Sequence, residues 1–166
     1  MKFLFPHIYA KSIKHVPYEK LLQKNIKAII FDIDNTLVPH DMKHAPKELI
    51  SFLSDIKKMG FKIVLLSNNN KNRVLTFNKP FSFYAVYNAK KPRSYGINKA
   101  LNMLNLLPHQ TAIVGDQIFT DVWCGNKNGM VTILTRPITS RDTFGVFLKR
   151  GIERCIVKKF VKSVRC

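Results

Sequence analysis

Apolar positions along this chain repeat with two different periods. Short, nearly unbroken apolar runs at 26–34 (IKAIIFDID), 61–69 (FKIVLLSNN), 83–89 (FYAVYNA), 111–116 (TAIVGD) and 131–135 (VTILT) read as buried strands. Longer stretches of helical period lie between them. Residues 45–60 place Leu49, Phe52, Leu53 and Ile56 on one face and stop at Gly60. Residues 70–77 predict a short helix, 91–106 a helix with Pro92 in its first turn, and 119–130 a helix closed near Gly129. Strands apolar on both faces, alternating with helices, are the pattern of parallel strands covered on both sides. The expected fold is therefore a Rossmann-like α/β three-layer sandwich with a central parallel sheet.

In such sheets ligands gather beyond the carboxyl ends of the strands. Asp32 and Asp34 follow the first of these runs, Ser67 and Asn68 the second, Lys90 and Lys91 the third, and Asp116 the fourth. Residues 26–136 form the expected core domain, with 1–25 as an extension packed on it. Beyond Pro137 the composition shifts. Residues 137–166 form a basic segment; within 147–166, Leu148, Ile152, Ile156 and Phe160 recur among seven Lys and Arg, and Glu153 is the one acid. That is the pattern of a basic amphipathic helix, weakened by Gly151.

The 166 residues carry 28 Lys and Arg against 10 Asp and Glu, a formal net charge of +18. A field of that sign favours polyanions: nucleic acid, an anionic membrane surface or phosphorylated substrates. Cys124, Cys155 and Cys166 show no disulfide or zinc spacing, which fits a reducing, cytoplasmic compartment. No run approaches the ~20 apolar residues of a membrane span.

Against this charge, two of the scarce acids stand one residue apart in Phe31-Asp32-Ile33-Asp34-Asn35-Thr36. Two carboxylates this close repel each other unless a cation stands between them. Asp32 and Asp116, from strand ends, offer the oxygen ligands that Mg²⁺ prefers. An Asx turn leaving a strand is the alternative origin of such a pair.

The motif DIDNT, followed in order by Ser67 in LLSNN, Lys91 in AKKP and Asp116 and Asp121 in GDQIFTD, resembles the haloacid dehalogenase superfamily of phosphatases, and most the YqeG-like type IIIA branch. The resemblance covers roughly 26–136. It implies Asp32 as nucleophile, Asp34 as general acid and base, and Ser67 and Lys91 as holders of the phosphoryl oxygens. It also implies Mg²⁺ held by Asp32, Asp116 and the carbonyl of Asp34, with Asp121 as a ligand through water or an orienter of Lys91. A first-turn acid complementing a helix dipole is the other reading of Asp121. Thr36 and Asn68 are expected at the substrate, and Lys90 competes with Lys91 for the phosphate.

Superfamily cap domains are inserted after the first motif or between the second and third. Here neither 38–60 nor 70–89 has room for one, so the expected enzyme is capless and its substrate large: a lipid in a bilayer, a protein or a nucleic-acid end. The YqeG-like resemblance includes phosphatidylglycerophosphate phosphatases, with the basic C-terminal segment either at the inner face of a membrane or packed on the core. Two alternatives accompany this reading: a phosphatase of nucleotides or nucleic-acid ends, and a basic binding module with little catalysis.

Overall fold

The computed structural model describes residues 2–139, 151–153 and 155–160. Six strands, β1 (Ile8–Ala10), β2 (Ala28–Phe31), β3 (Lys62–Leu66), β4 (Tyr84–Val86), β5 (Thr111–Gly115) and β6 (Val131–Thr135), form one sheet. All neighbours are parallel, in the order β1-β6-β5-β2-β3-β4. The helices are α1 (Tyr18–Gln23), α2 (Lys47–Lys58), α3 (Lys71–Asn78), α4 (Tyr95–Leu104) and α5 (Trp123–Lys127).

Strand alternation divides the apolar runs between two cores. Ile29 and Phe31 of β2, Ile63 and Leu65 of β3 and Ala112 and Val114 of β5 join Leu21, Leu53 and Phe77 from α1, α2 and α3. Ala28, Ile30, Val64, Leu66 and Ile113 join Ile97 and Leu101 of α4 and Cys124 of α5. This is the three-layer α/β sandwich expected from the sequence. Cys124 is a packing residue whose thiol burial pushes up to about 11.

The structure adds detail to the sequence reading. Residues 1–25 do not merely rest on the core: Ile8–Ala10 pair with Ile133–Thr135 and supply the edge strand of the sheet. Three residues between Pro6 and Ser12 are too few to register as an apolar run. The helix expected at 119–130 is divided, with a π-helical turn at Ile118–Val122 leading into α5.

In the C-terminal segment, residues 151–153 and 155–160 are helical. Ile156 and Val157 pack against Ile118, Val122 and Leu134, and Phe160 stacks on Phe5 with centroids 6.2 Å apart. Glu153 shares that inward side and is buried, while Ile152 is 56% exposed. The buried face thus follows 153, 156, 157 and 160, not a stripe through Ile152. The rest of the expected helix lies outside the described residues. Among the described residues no helix is long and apolar enough to cross a membrane.

From β2 the chain runs outward through β3 to β4, then returns to the other side of β2 for β5 and β6. The strand order reverses between β2 and β5, and a ligand crevice is expected there.

Candidate active site

Register brings the first and last motifs together at that reversal. Phe31 pairs with Val114, and the Asp32 amide donates to the Val114 carbonyl at 2.9 Å. Asp32 therefore leaves β2 level with Gly115, one residue before Asp116. The chain then turns tightly, with the Leu37 and Val38 amides donating to the Ile33 carbonyl at 2.9 and 3.2 Å. Asn35 occupies the left-handed region at φ +63°, which Asn tolerates better than most residues. Its side chain accepts from the Thr139 hydroxyl at 2.8 Å and its carbonyl from the Ile138 amide at 3.0 Å, fastening the loop to the chain beyond β6.

Lys91 bridges the motifs. Its ammonium donates to Asp32 Oδ1 at 2.5 Å and Asp121 Oδ1 at 2.6 Å, with its side chain 3% exposed. Lys90 instead faces outward, 5.7 Å from the Tyr95 ring centre. The Asn68 side chain accepts from the Lys91 amide at 2.7 Å and donates to the Lys91 carbonyl at 3.3 Å. Both ends of that amide bond the lysine's backbone. The Thr36 hydroxyl lies 3.0 Å from Asp32 Oδ2 and 3.3 Å from Asp116 Oδ1, where it orders carboxylates.

Asp32, Asp116 and Asp121 are all buried, with one carboxylate oxygen from each lying within 4.8 Å of the others. Burial pushes Asp32 up to about 8; Lys91 opposes this, and Asp121 and Asp116 add to it. Burial would lower Lys91, but Asp121 and Asp32 overcome it and hold the ammonium charged. Three carboxylates share one ammonium, an excess of negative charge among oxygen donors that suits a hard divalent cation.

Asp34 stands at the rim, its side chain 17% exposed. The Ser67 hydroxyl and the Asn69 amide reach its Oδ2 at 3.4 and 3.5 Å. Oδ1 takes the Arg73 guanidinium at 2.9 Å, and the exposed His40 ring is 3.7 Å away.

Sequence reasoning missed Arg73 and Glu153. Arg73 is one cation among many in a helical stretch, and nothing along the chain marks its partner 39 residues earlier. Glu153 accepts from the Ile118 and Phe119 amides at 2.7 and 3.2 Å, holding the start of the turn that carries Asp121. Its signal was legible, as the one acid in a cationic segment.

Gly115 is required by the placement of Asp121. A Cβ there would lie 2.2 Å from the Asp121 carboxyl carbon. Gly115→Ala is expected to drive that carboxylate off Lys91 and destabilise the fold by about 1–3 kcal/mol, the usual cost of overpacking. Thermal melts with and without divalent metal check this; an unchanged melt would mean the turn shifts freely.

Comparison with known proteins adds sequence evidence to this geometry. A family model described as "Mitochondrial PGP phosphatase" matches residues 1–139. The Bacillus subtilis (strain 168) protein named "Probable phosphatase YqeG" is 40% identical over 156 residues, covering 94% of this chain and 91% of that protein. An Arabidopsis thaliana protein, "Phosphatidylglycerophosphate phosphatase 1, chloroplastic/mitochondrial", is 24% identical over 172 residues; the match covers 98% of this chain but only 49% of that protein. A solved structure of a HAD phosphatase from Thermococcus onnurineus superposes with a TM-score of 0.57 at 14% identity, over 71% of this chain and 90% of that one, a likeness of fold.

Proposed function

Starting from its membership of the mitochondrial PGP phosphatase family, a group of HAD-type phosphatases that hydrolyse phosphoric monoesters, we propose that this chain removes the terminal phosphate of phosphatidylglycerophosphate at an anionic membrane surface, on its cytoplasmic side. The observation that carries the catalytic reading is the convergence of three strand ends on one ammonium, Lys91 between Asp32 and Asp121 with Asp116 alongside.

Asp32 is the nucleophile: its carboxylate oxygen bonds to phosphorus as the bond to the leaving oxygen breaks. Asp34 gives its proton to that oxygen, which departs as the alcohol and leaves an aspartyl-phosphate. Asp34 then takes a proton from water, whose oxygen attacks phosphorus and restores the Asp32 carboxylate. Lys91, Ser67 and the amides of the loop after β3 hold the phosphoryl oxygens as charge spreads over them. Asp32, Asp116 and the Asp34 carbonyl, with Asp121 directly or through water, would hold Mg²⁺, which when bound shields phosphate charge from the attacking carboxylate.

Support for a large substrate comes from the strand connections. Between β2 and β3 the described chain forms a loop and α2, and between β3 and β4 only α3, so neither connection carries a cap. Lys158 and Lys159 lie on the outer side of the C-terminal helix, where each cation near an anionic leaflet contributes about 1 kcal/mol. The charge of +18 keeps nucleic-acid ends as the second reading.

The test is phosphate release, with Mg²⁺ and with chelator, from phosphatidylglycerophosphate in vesicles, 3′- and 5′-phosphorylated oligonucleotides, nucleotides and para-nitrophenyl phosphate. Metal-dependent preference for the lipid is expected. An untouched lipid beside a cleaved aryl phosphate rejects the lipid substrate, and preference for oligonucleotides moves the assignment to nucleic acid.

A further inference from the structure

Asp34 is held unequally at its two oxygens. Among the described residues its Oδ2 has only the long contacts from Ser67 and Asn69, at 3.4 and 3.5 Å, whereas Oδ1 takes Arg73 at 2.9 Å, a charge-assisted bond of ordinary length. Arg73 has little freedom to move. Its side chain is 10% exposed, its other arm donates to the Lys43 carbonyl at 3.3 Å, and its guanidinium lies 5.5 Å from the Phe77 ring centre. Its backbone is fixed at the start of α3, where the Asn70 side chain caps the helix by accepting from the Arg73 amide at 2.9 Å. Buried Nε has no hydrogen-bond partner among the described residues. A guanidinium kept here at the expense of one donor is placed for Asp34 more than for its own hydrogen bonding.

Resting on the reading of Asp34 as acid and base, we propose that Arg73 is a positioning residue that fixes the Asp34 carboxyl by Oδ1 and so presents Oδ2, on the Ser67 side, to the leaving oxygen and then to water. The two tasks are compatible. A protonated carboxyl keeps an acceptor-only oxygen, so Oδ1 can retain the guanidinium while Oδ2 carries the proton. Positioning of this kind matters most where proton transfer is most needed. An alkoxide is a poor leaving group and depends on the acid; para-nitrophenolate leaves without one.

The experiment compares kcat/KM, which reports only the steps up to release of the alcohol, for an alkyl and an aryl phosphate. The alkyl substrate is phosphatidylglycerophosphate in vesicles or glycerol 3-phosphate, and the aryl substrate is para-nitrophenyl phosphate. Arg73→Met is expected to lower the alkyl value about 10²-fold, at the low end of what general acid catalysis supplies, and the aryl value by far less. Arg73→Lys should restore part of the alkyl value; it also carries the test if Arg73→Met does not fold, because its alkyl-to-aryl ratio must then lie below wild type. Asp34→Asn, run in parallel, should reproduce the selective loss. Equal losses on both substrates for the Arg73 variants, beside a selective loss for Asp34→Asn, overturn the positioning role alone. A non-selective Asp34→Asn overturns the acid and base assignment together with it.

Discussion

Asp32→Asn should reduce phosphate release by about 10⁴-fold or more, because the amide cannot form the phosphoryl bond and no other group in the site takes over the attack. Yet the same variant should fold at least as stably as wild type without metal. Asp32 is buried against Asp116 and Asp121, and burial together with those two carboxylates raises it well above its ordinary value despite Lys91. A carboxyl raised in the folded state contributes its full stability below its unfolded value, near 3.8, and loses it as pH rises toward about 8. Metal-free wild type should therefore melt lower at pH 8 than at pH 5, Mg²⁺ should restore more stability at the higher pH, and Asp32→Asn should flatten the metal-free slope. Retention of more than about one hundredth of wild-type turnover would remove Asp32 as nucleophile, since losing such a group costs far more. A pH-independent melt in wild type would mean that the carboxylates are relieved by some other cation. The arrangement is costly to the fold and useful to the reaction, the usual balance at a catalytic site.

The parts of this protein that were legible in its sequence are those that a parallel sheet makes local. An uninterrupted apolar run specifies a strand covered on both faces, and the polar residue that ends it must lie at the carboxyl edge. Asp32, Ser67, Lys91 and Asp116 could be placed at one end of the sheet for that reason alone. Side-chain direction could not be read in the same way. Asn68 and Thr36 have the right chemistry to meet a phosphate, and their sequence does not reveal that Asn68 bonds the Lys91 backbone and Thr36 lies against two carboxylates. Arg73 and Glu153 reach the site from other elements, across separations of 39 and 35 residues, and periodicity carries no information on such pairings. The choice between Lys90 and Lys91 needed the backbone as well. At φ +56°, Lys90 turns the chain so that one lysine faces Tyr95 and the next enters the crevice.

Lys91→Met is the substitution expected to cost most in stability, with a large loss of activity beside it. Methionine nearly fills the volume, and the backbone at 91 stays held by Asn68, so the change removes the ammonium and little else. Asp32 and Asp121 then face each other and Asp116 without the cation that bridged them. Removing one partner of a buried ion pair leaves an uncompensated charge and costs about 3–5 kcal/mol. For a domain of this size that is a fall of roughly 10 °C in the metal-free melting temperature. Turnover should fall about 10³-fold, the scale of losing one group that stabilises charge on the transferred phosphoryl. Adding Asp121→Asn tests whether the charge is the cause. If Lys91 is there to balance carboxylates, the double variant should melt above Lys91→Met while remaining inactive, because the second change removes the charge that the first left exposed. Additive losses in the two variants would show that Lys91 and Asp121 act independently, and the bridge would then have no energetic meaning. Divalent metal should narrow the gap between Lys91→Met and wild type in stability but not in turnover. A second cation can balance the acids, but it cannot make the contact to phosphate proposed for the lysine.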